Sequence, residues 1–225
     1  QQIDVGKNQE AKTSLVRGLK ESTNIVALDD LIIKFHGEKL TNEQIAEVVQ
    51  LTSTISADQK IILNSDLNIT EELKDICNQF KSGGIAKEGR GILDEYYTDI
   101  QIVDTISNLI KNEFSNKTNL QILEPSIGTG NFVYATSSFK TNNFVTGFEI
   151  NDVTAKIAKI FHPQADIHLR SFETEFIDND GLKAKKDFYS EKYDLVIGNP
   201  PYGEHRGLYK GLGEEPKISK YEDYF

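Results

Sequence analysis

Asn199, Pro200, Pro201 and Tyr202 stand in a row after an apolar run, Tyr193 to Ile197, and one glycine, Gly198. The run reads as a buried strand. Proline fixes φ and has no N–H, so neither Pro200 nor Pro201 extends a sheet ladder. Each also drives the residue before it toward extended geometry. The expected product is a stiff loop at the carboxyl end of a strand. The Asn199 side-chain oxygen and the Pro200 carbonyl both accept hydrogen bonds. Two acceptors aimed at one –NH2 group hold it and favour the positive charge that develops as its nitrogen attacks an electrophile. Tyr202 offers a ring face for stacking. The chemistry is attack by an exocyclic amino group of a flat substrate.

A second constellation lies upstream. Leu120 to Leu123 reads as a short strand, followed by Glu124-Pro125-Ser126-Ile127-Gly128-Thr129-Gly130-Asn131-Phe132 and a helix through Phe139. Strand, glycine turn and helix bring backbone close to a ligand at a helix N-terminus. A second strand, Asn143 to Phe148, ends at Glu149, 19 residues after Gly130. In dinucleotide folds an acid about 20 residues downstream of such a loop holds ribose hydroxyls. The third glycine of G-x-G-x-x-G is missing here, and Gly-Lys-Ser/Thr is missing too. The loop therefore follows neither the nicotinamide-dinucleotide nor the nucleoside-triphosphate pattern. Further upstream, Thr98 or Asp99 is a reasonable cap for an amphipathic helix carrying Ile102, Val103, Ile106, Leu109, Ile110 and Phe114. A helix N-terminus beside a Thr hydroxyl suits a carboxylate.

These groups need a scaffold that brings several strand ends together. The strands above alternate with helices, and Ala165 to Leu169 adds another strand before Arg170-Ser171-Phe172-Glu173. Asn151 or Asp152 caps the helix between them, and Pro163 ends it. The alternation predicts an α/β fold with an open, mainly parallel sheet over 89–225. Residues 1–88 read as a helical segment. Within it Thr41 and Gln44 form a capping box, and the start signal Asn68-Ile69-Thr70-Glu71-Glu72 opens a further helix carrying Leu73, Ile76 and Phe80. Cys77 on that helix is expected to be a small buried hydrophobe, and His36 a solvated or capping residue. His162 and His168 read as helix-end and strand-surface residues, with no spacing suited to a metal.

The chain has 225 residues, 38% of them hydrophobic, which is enough for one domain with a core and a small appendage. It holds one cysteine, so an internal disulfide framework is excluded and a cytoplasmic, reducing setting is expected. A net charge of −10 argues against a large generic DNA-binding surface within these residues. No apolar run reaches membrane-spanning length. The chain contains no methionine and is read as a piece of a longer protein.

The ordered set resembles the gamma-type N6-adenine DNA methyltransferases of restriction-modification or mobile-element systems, which use S-adenosylmethionine (SAM). Asn199-Pro200-Pro201-Tyr202 is similar to their motif IV, and Glu124 to Phe132 to their motif I. Tyr97-Thr98 resembles motif X, with Asp99 where that family usually has proline. Ser171-Phe172 stands at motif III, with Ser171 where an aspartate is usual.

The resemblance implies a Rossmann-like SAM-dependent methyltransferase sheet, here truncated, and methyl transfer to N6 of a flipped adenine in DNA. It assigns Asn199, Pro200 and Tyr202 to the target base. Tyr97, Thr98, Glu124, Gly128 and Gly130 fall to the methionine part of SAM, Glu149 to its ribose, and Ser171 and Phe172 to its adenine. The family's sheet has seven strands and four are read here. The remainder, and most of the DNA contact, are expected beyond Phe225, and these residues alone are expected to be inactive. Protein-glutamine methyltransferases acting on release factors share the Asn-Pro-Pro-Tyr turn and a helical N-terminal domain. An inactive scaffold module of a larger DNA-modification protein is the non-enzyme alternative.

Overall fold

The computed structural model describes residues 24–81, 98–114, 116–137, 143–175 and 193–199. Residues 24–35 form α1. The Thr41–Gln44 capping box then opens α2 (Asn42–Gln50). Thr41 Oγ1 accepts from the Gln44 N–H at 3.3 Å, and Gln44 Oε1 accepts from the Thr41 N–H at 2.9 Å. Between α2 and the next helix lies a hairpin of β1 (Ser53–Ile55) and β2 (Ile61–Leu63), which the helical reading did not contain. Thr70 caps α3 (Glu71–Asn78), where Cys77 is buried as expected and burial pushes its thiol up to about 12.

The sequence after residue 97 builds the sheet. Asp99 is the group that starts α4 (Ile100–Phe114), its Oδ1 accepting from the Gln101 N–H at 2.8 Å. Then come β3 (Gln121–Glu124), α5 (Asn131–Ser137), β4 (Phe144–Glu149), α6 (Asp152–Phe161), β5 (Asp166–Leu169), a 3-10 turn (Phe172–Glu175) and β6 (Leu195–Val196). All pairings among these strands are parallel, in the order β5-β4-β3-β6. The expected α/β architecture is therefore present. Asn151 is the N-cap of α6, its Oδ1 accepting from the N–H groups of Val153 and Thr154.

Two apolar clusters hold the sheet to its helices. One joins Val103 of α4 to Leu120, Ile122, Phe132, Ala135 and Ile197. The other joins Ile127 and Val133 to Ala155, Ala158, Ala165 and Ile167. Ser107 locks α4 to α5 by donating to the Ala135 carbonyl at 2.6 Å. In the α4 stripe Val103 is buried and Ile106, Ile110 and Phe114 pack against the cluster, whereas Ile102 and Leu109 are exposed. The stripe follows the helical period, and its buried face is narrower than the sequence pattern suggests.

The N-terminal segment is fastened to the sheet. Ile157 and Ile160 of α6 belong to the same cluster as Leu28, Phe35, Ile45, Val48, Leu73 and Ile76. The hairpin also reaches β5: Gln59 O accepts from the Leu169 N–H at 2.7 Å, and Lys60 bridges to His168. Among the described residues no helix is long and apolar enough to cross a membrane. The first 23 residues of the expected helical segment lie outside the described residues.

Candidate functional site

In an all-parallel sheet every carboxyl end lies at one edge. Glu124 closes β3, Glu149 closes β4, Ser171 follows β5, and Asn199 follows β6. The chain leaves β3 toward β4 and β5 on one side, and later returns to β3's other side as β6. The crevice outside β3 and β6 is thus a topological switch point, where open α/β sheets bind ligands.

Glu124 turns inward there and is 1% exposed. Neither of its oxygens finds a hydrogen-bond partner of normal geometry among the described residues. Burial pushes this carboxyl well above the usual range. The nearby Ser126 N–H offsets part of that effect, and the Glu149 charge adds to it. Gly198 lies so close that a Cβ there would collide with Glu124 Oε1. A glycine between β6 and Asn199 is therefore a steric requirement of this carboxyl.

The glycine loop is clamped from the next strand. The Gly128 N–H donates to Glu149 Oε2 at 3.0 Å, while the Ile150 and Asn151 N–H groups donate to Oε1 at 2.8 and 2.9 Å. Glu149 thus ties the loop after β3 to the loop after β4. Gly130 has φ +92°, and a Cβ on it would strike the His162 ring. Two independent constraints exclude a side chain at Gly130. His162 ends α6 as expected, but it also forms the wall behind the loop. Burial pushes its imidazole below the usual value, against an opposing hydrogen bond to the Gly130 backbone, so it stays neutral at pH 7.

Thr98 joins the loop to the Asn199 turn. The Asn131 amide, at the first residue of α5, donates to the Thr98 carbonyl at 2.9 Å, and the Asn199 amide donates to Thr98 Oγ1 at 3.2 Å. Three stretches far apart in sequence meet here. On the other flank Phe148 carries a stack: the His168 ring lies on it at 5.0 Å, Phe172 meets it edge-on at 5.3 Å, and Arg170 sits over its face. His168 is therefore not a strand-surface residue, because its side chain is 12% exposed and held against Phe148. The Ser171 carbonyl accepts from both the N–H and the hydroxyl of Thr174, which turns the chain beyond β5.

The sequence matches the N-6 DNA methylase family over residues 83–223. The chain belongs to that family. It is similar to the defense against restriction protein B of Escherichia phage P1, with 28% identity over 174 residues, covering 73% of this chain and 7% of that protein. It is also similar to the type II methyltransferase M.CvrRI of Paramecium bursaria Chlorella virus XZ-6E. That match has 31% identity over 97 residues, covering 43% of this chain and 22% of the relative. Among solved structures, the type I restriction-modification methyltransferase subunit of Streptococcus thermophilus aligns at TM-score 0.43 and 16% identity, over 69% of this chain and 34% of that one. The chain thus spans a minor part of the length of the relatives it matches.

As a member of the N-6 DNA methylase family, the chain carries a four-stranded parallel sheet flanked by helices. Of the residues singled out from sequence, Thr98, Glu124, Gly128, Gly130, Glu149, Ser171, Phe172 and Asn199 lie at one edge of that sheet. Tyr97, Pro200 and Tyr202 lie outside the described residues. Asn131 and His162 are additions. Asn131 lies inside the glycine motif, and nothing in the one-dimensional pattern ties it to Thr98. Among the described residues no group of three or more His, Cys, Asp or Glu side chains is arranged to hold a metal ion.

Proposed function

We propose that this chain carries the cofactor loop and the amino-recognition turn of an enzyme that methylates N6 of adenine in DNA with SAM as donor. The observation that carries this reading is the direct bond between Asn199 and Thr98 at the switch point, beside the glycine loop. It brings an amino-recognising amide and a cofactor-type loop into one crevice. The site also suits a cationic donor, since Glu124 offers two buried oxygens that find no partner of normal hydrogen-bond geometry among the described residues. Such a group gains most from a ligand that brings its own donors.

Under this reading SAM would supply an electrophilic methyl group on its sulfonium sulfur, toward which the chain's residues present the amino nitrogen. Glu124, Gly128, Gly130 and Glu149 hold the methionine and ribose parts, with Tyr97 and Thr98 at the methionine end. Ser171 and Phe172 border the cofactor's adenine. The target adenine is flipped out of its duplex, stacked on Tyr202, and held at its amino group by Asn199 and Pro200. No general base is required, because the amino nitrogen attacks through its own lone pair and loses its proton afterwards. Residues 1–88 serve as a helical support and 89–225 as the first part of the methyltransferase domain. With a net charge of −10, most of the DNA contact falls to other parts of the protein.

Two measurements test this. Calorimetric titration should show SAM binding that Glu149→Ala removes, since the substitution strips the clamp on Gly128. In the full protein, Asn199→Ala should lower methyl transfer to adenine in duplex DNA by at least about 100-fold while sparing SAM binding. Undiminished transfer by that variant would reject the role of Asn199. Methylation of a release-factor glutamine instead of DNA would reassign the substrate.

A further inference from the structure

An asparagine amide has two nearly equivalent orientations about its last torsion, and they exchange donor for acceptor. Only one turns Oδ1 toward an incoming –NH2 group. The other presents Nδ2, which meets that group donor to donor. Something must therefore choose between them. The described partner of Nδ2 is the hydroxyl oxygen of Thr98, at 3.2 Å. Thr98 is itself fixed from a third direction, because Asn131 donates to its carbonyl at 2.9 Å. Asn131 stands immediately after Gly130, so the anchor is the cofactor loop itself. Thr98 is half-buried, directly before the Asp99 cap of α4.

We propose that Thr98 is a positioning residue, which accepts from Asn199 Nδ2 and so keeps the Asn199 oxygen turned toward the target amino group. Asn131 sets Thr98 in place, so the glycine loop and the recognition turn share one reference point. This rests on the reading of Asn199 as the amino-group acceptor, and goes beyond a cofactor contact for Thr98. The hydroxyl acts on the alignment of the reacting nitrogen, so its loss is felt in turnover even when SAM is saturating.

The test compares Thr98→Val, which keeps the shape and removes the acceptor, with Thr98→Ser, which keeps it. In the full protein, with adenine-containing duplex DNA and saturating SAM, Thr98→Val should lower kcat about tenfold, as expected for one lost hydrogen bond. This loss should persist at saturating SAM, whatever change in SAM affinity calorimetry records, and Thr98→Ser should restore kcat. A Thr98→Val enzyme with unchanged kcat and a raised KM for SAM would overturn the proposal and leave Thr98 a cofactor contact. A second readout does not depend on turnover. The 15N side-chain amide resonance of Asn199, identified by its loss in Asn199→Ala, should shift in Thr98→Val and stay in place in Thr98→Ser. If the wild-type protein methylates no DNA, the proposed function fails, and that resonance alone decides the pairing: an unshifted signal in Thr98→Val rejects it.

Discussion

Glu124 is the residue with the largest conflict between its chemistry and its surroundings. Burial, with the Glu149 charge adding to it, raises its carboxyl well above the usual range in the folded chain. The unfolded chain releases that proton near the ordinary glutamate value of about 4.3. Between the two values the folded state binds more protons than the unfolded state, so stability falls as pH rises through that window. Glu124→Gln keeps the shape and abolishes the titration. The ligand-free variant should melt higher than wild type at pH 7–8, by on the order of 2–4 °C for each kcal/mol recovered, and the gap should close toward pH 4. A pH-independent gap in thermal melts rejects this account. The sequence marked Glu124 as the acid that opens the glycine loop. It did not reveal the isolation of the carboxyl, which depends on Gly198 arriving from another strand. The same holds for His162: its place at a helix end was legible, and its seat behind Gly130 depends on how α6 crosses the loop.

At the scale of elements, α6 shows how local and tertiary demands combine. Lys156 is a buried ammonium, 2.9 Å from the Asp152 carboxylate one turn earlier and bonded to Gln50 of α2. The carboxylate is the more exposed partner. Removing it leaves a buried charge with one neutral partner, so Asp152→Ala should cost about 2–3 kcal/mol in urea unfolding. Only about 0.5 kcal/mol of that belongs to its position in the first turn of the helix. Lys156→Met removes the charge and keeps the bulk, and should cost less than about 1 kcal/mol. Equal costs for the two would show that the ammonium is hydrated.

Elements fixed by short-range signals were legible in advance, as the capping box at Thr41 and the helix starts around Thr70 and Asn151 show. The β1–β2 hairpin was not. Its turn places Gln59 at φ +62°, a position where glycine is the usual signal, and its strands are only three residues each. Pairing with β5 through Gln59 and Lys60 is a long-range contact that no local window contains.

For the whole molecule, the boundary expected near residue 88 does not separate two cores. Ile157 is 0% and Ile160 1% exposed, and both lie in the cluster built by α1, α2 and α3. Lys60 adds a link at the sheet's edge, 2.7 Å from Asp166, whose carboxylate holds the ammonium above its usual range. That pair is partly exposed and contributes at most about 1 kcal/mol, so the apolar cluster decides how the two parts behave when separated. Each isoleucine stripped of its cover forfeits about 1.5–3 kcal/mol. Two of them represent a large share of a typical stability of about 5–15 kcal/mol. A chain cut to 89–225 should therefore lose cooperative melting or aggregate. Replacing both exposed positions with polar residues, as Ile157→Thr and Ile160→Lys, should recover solubility before stability. Calorimetric melting of the truncated chain decides the matter. A single sharp transition at the wild-type temperature would mean that the N-terminal segment only leans on the sheet. A broadened or lowered one places α1 to α3 within the folding unit that holds the glycine loop in shape.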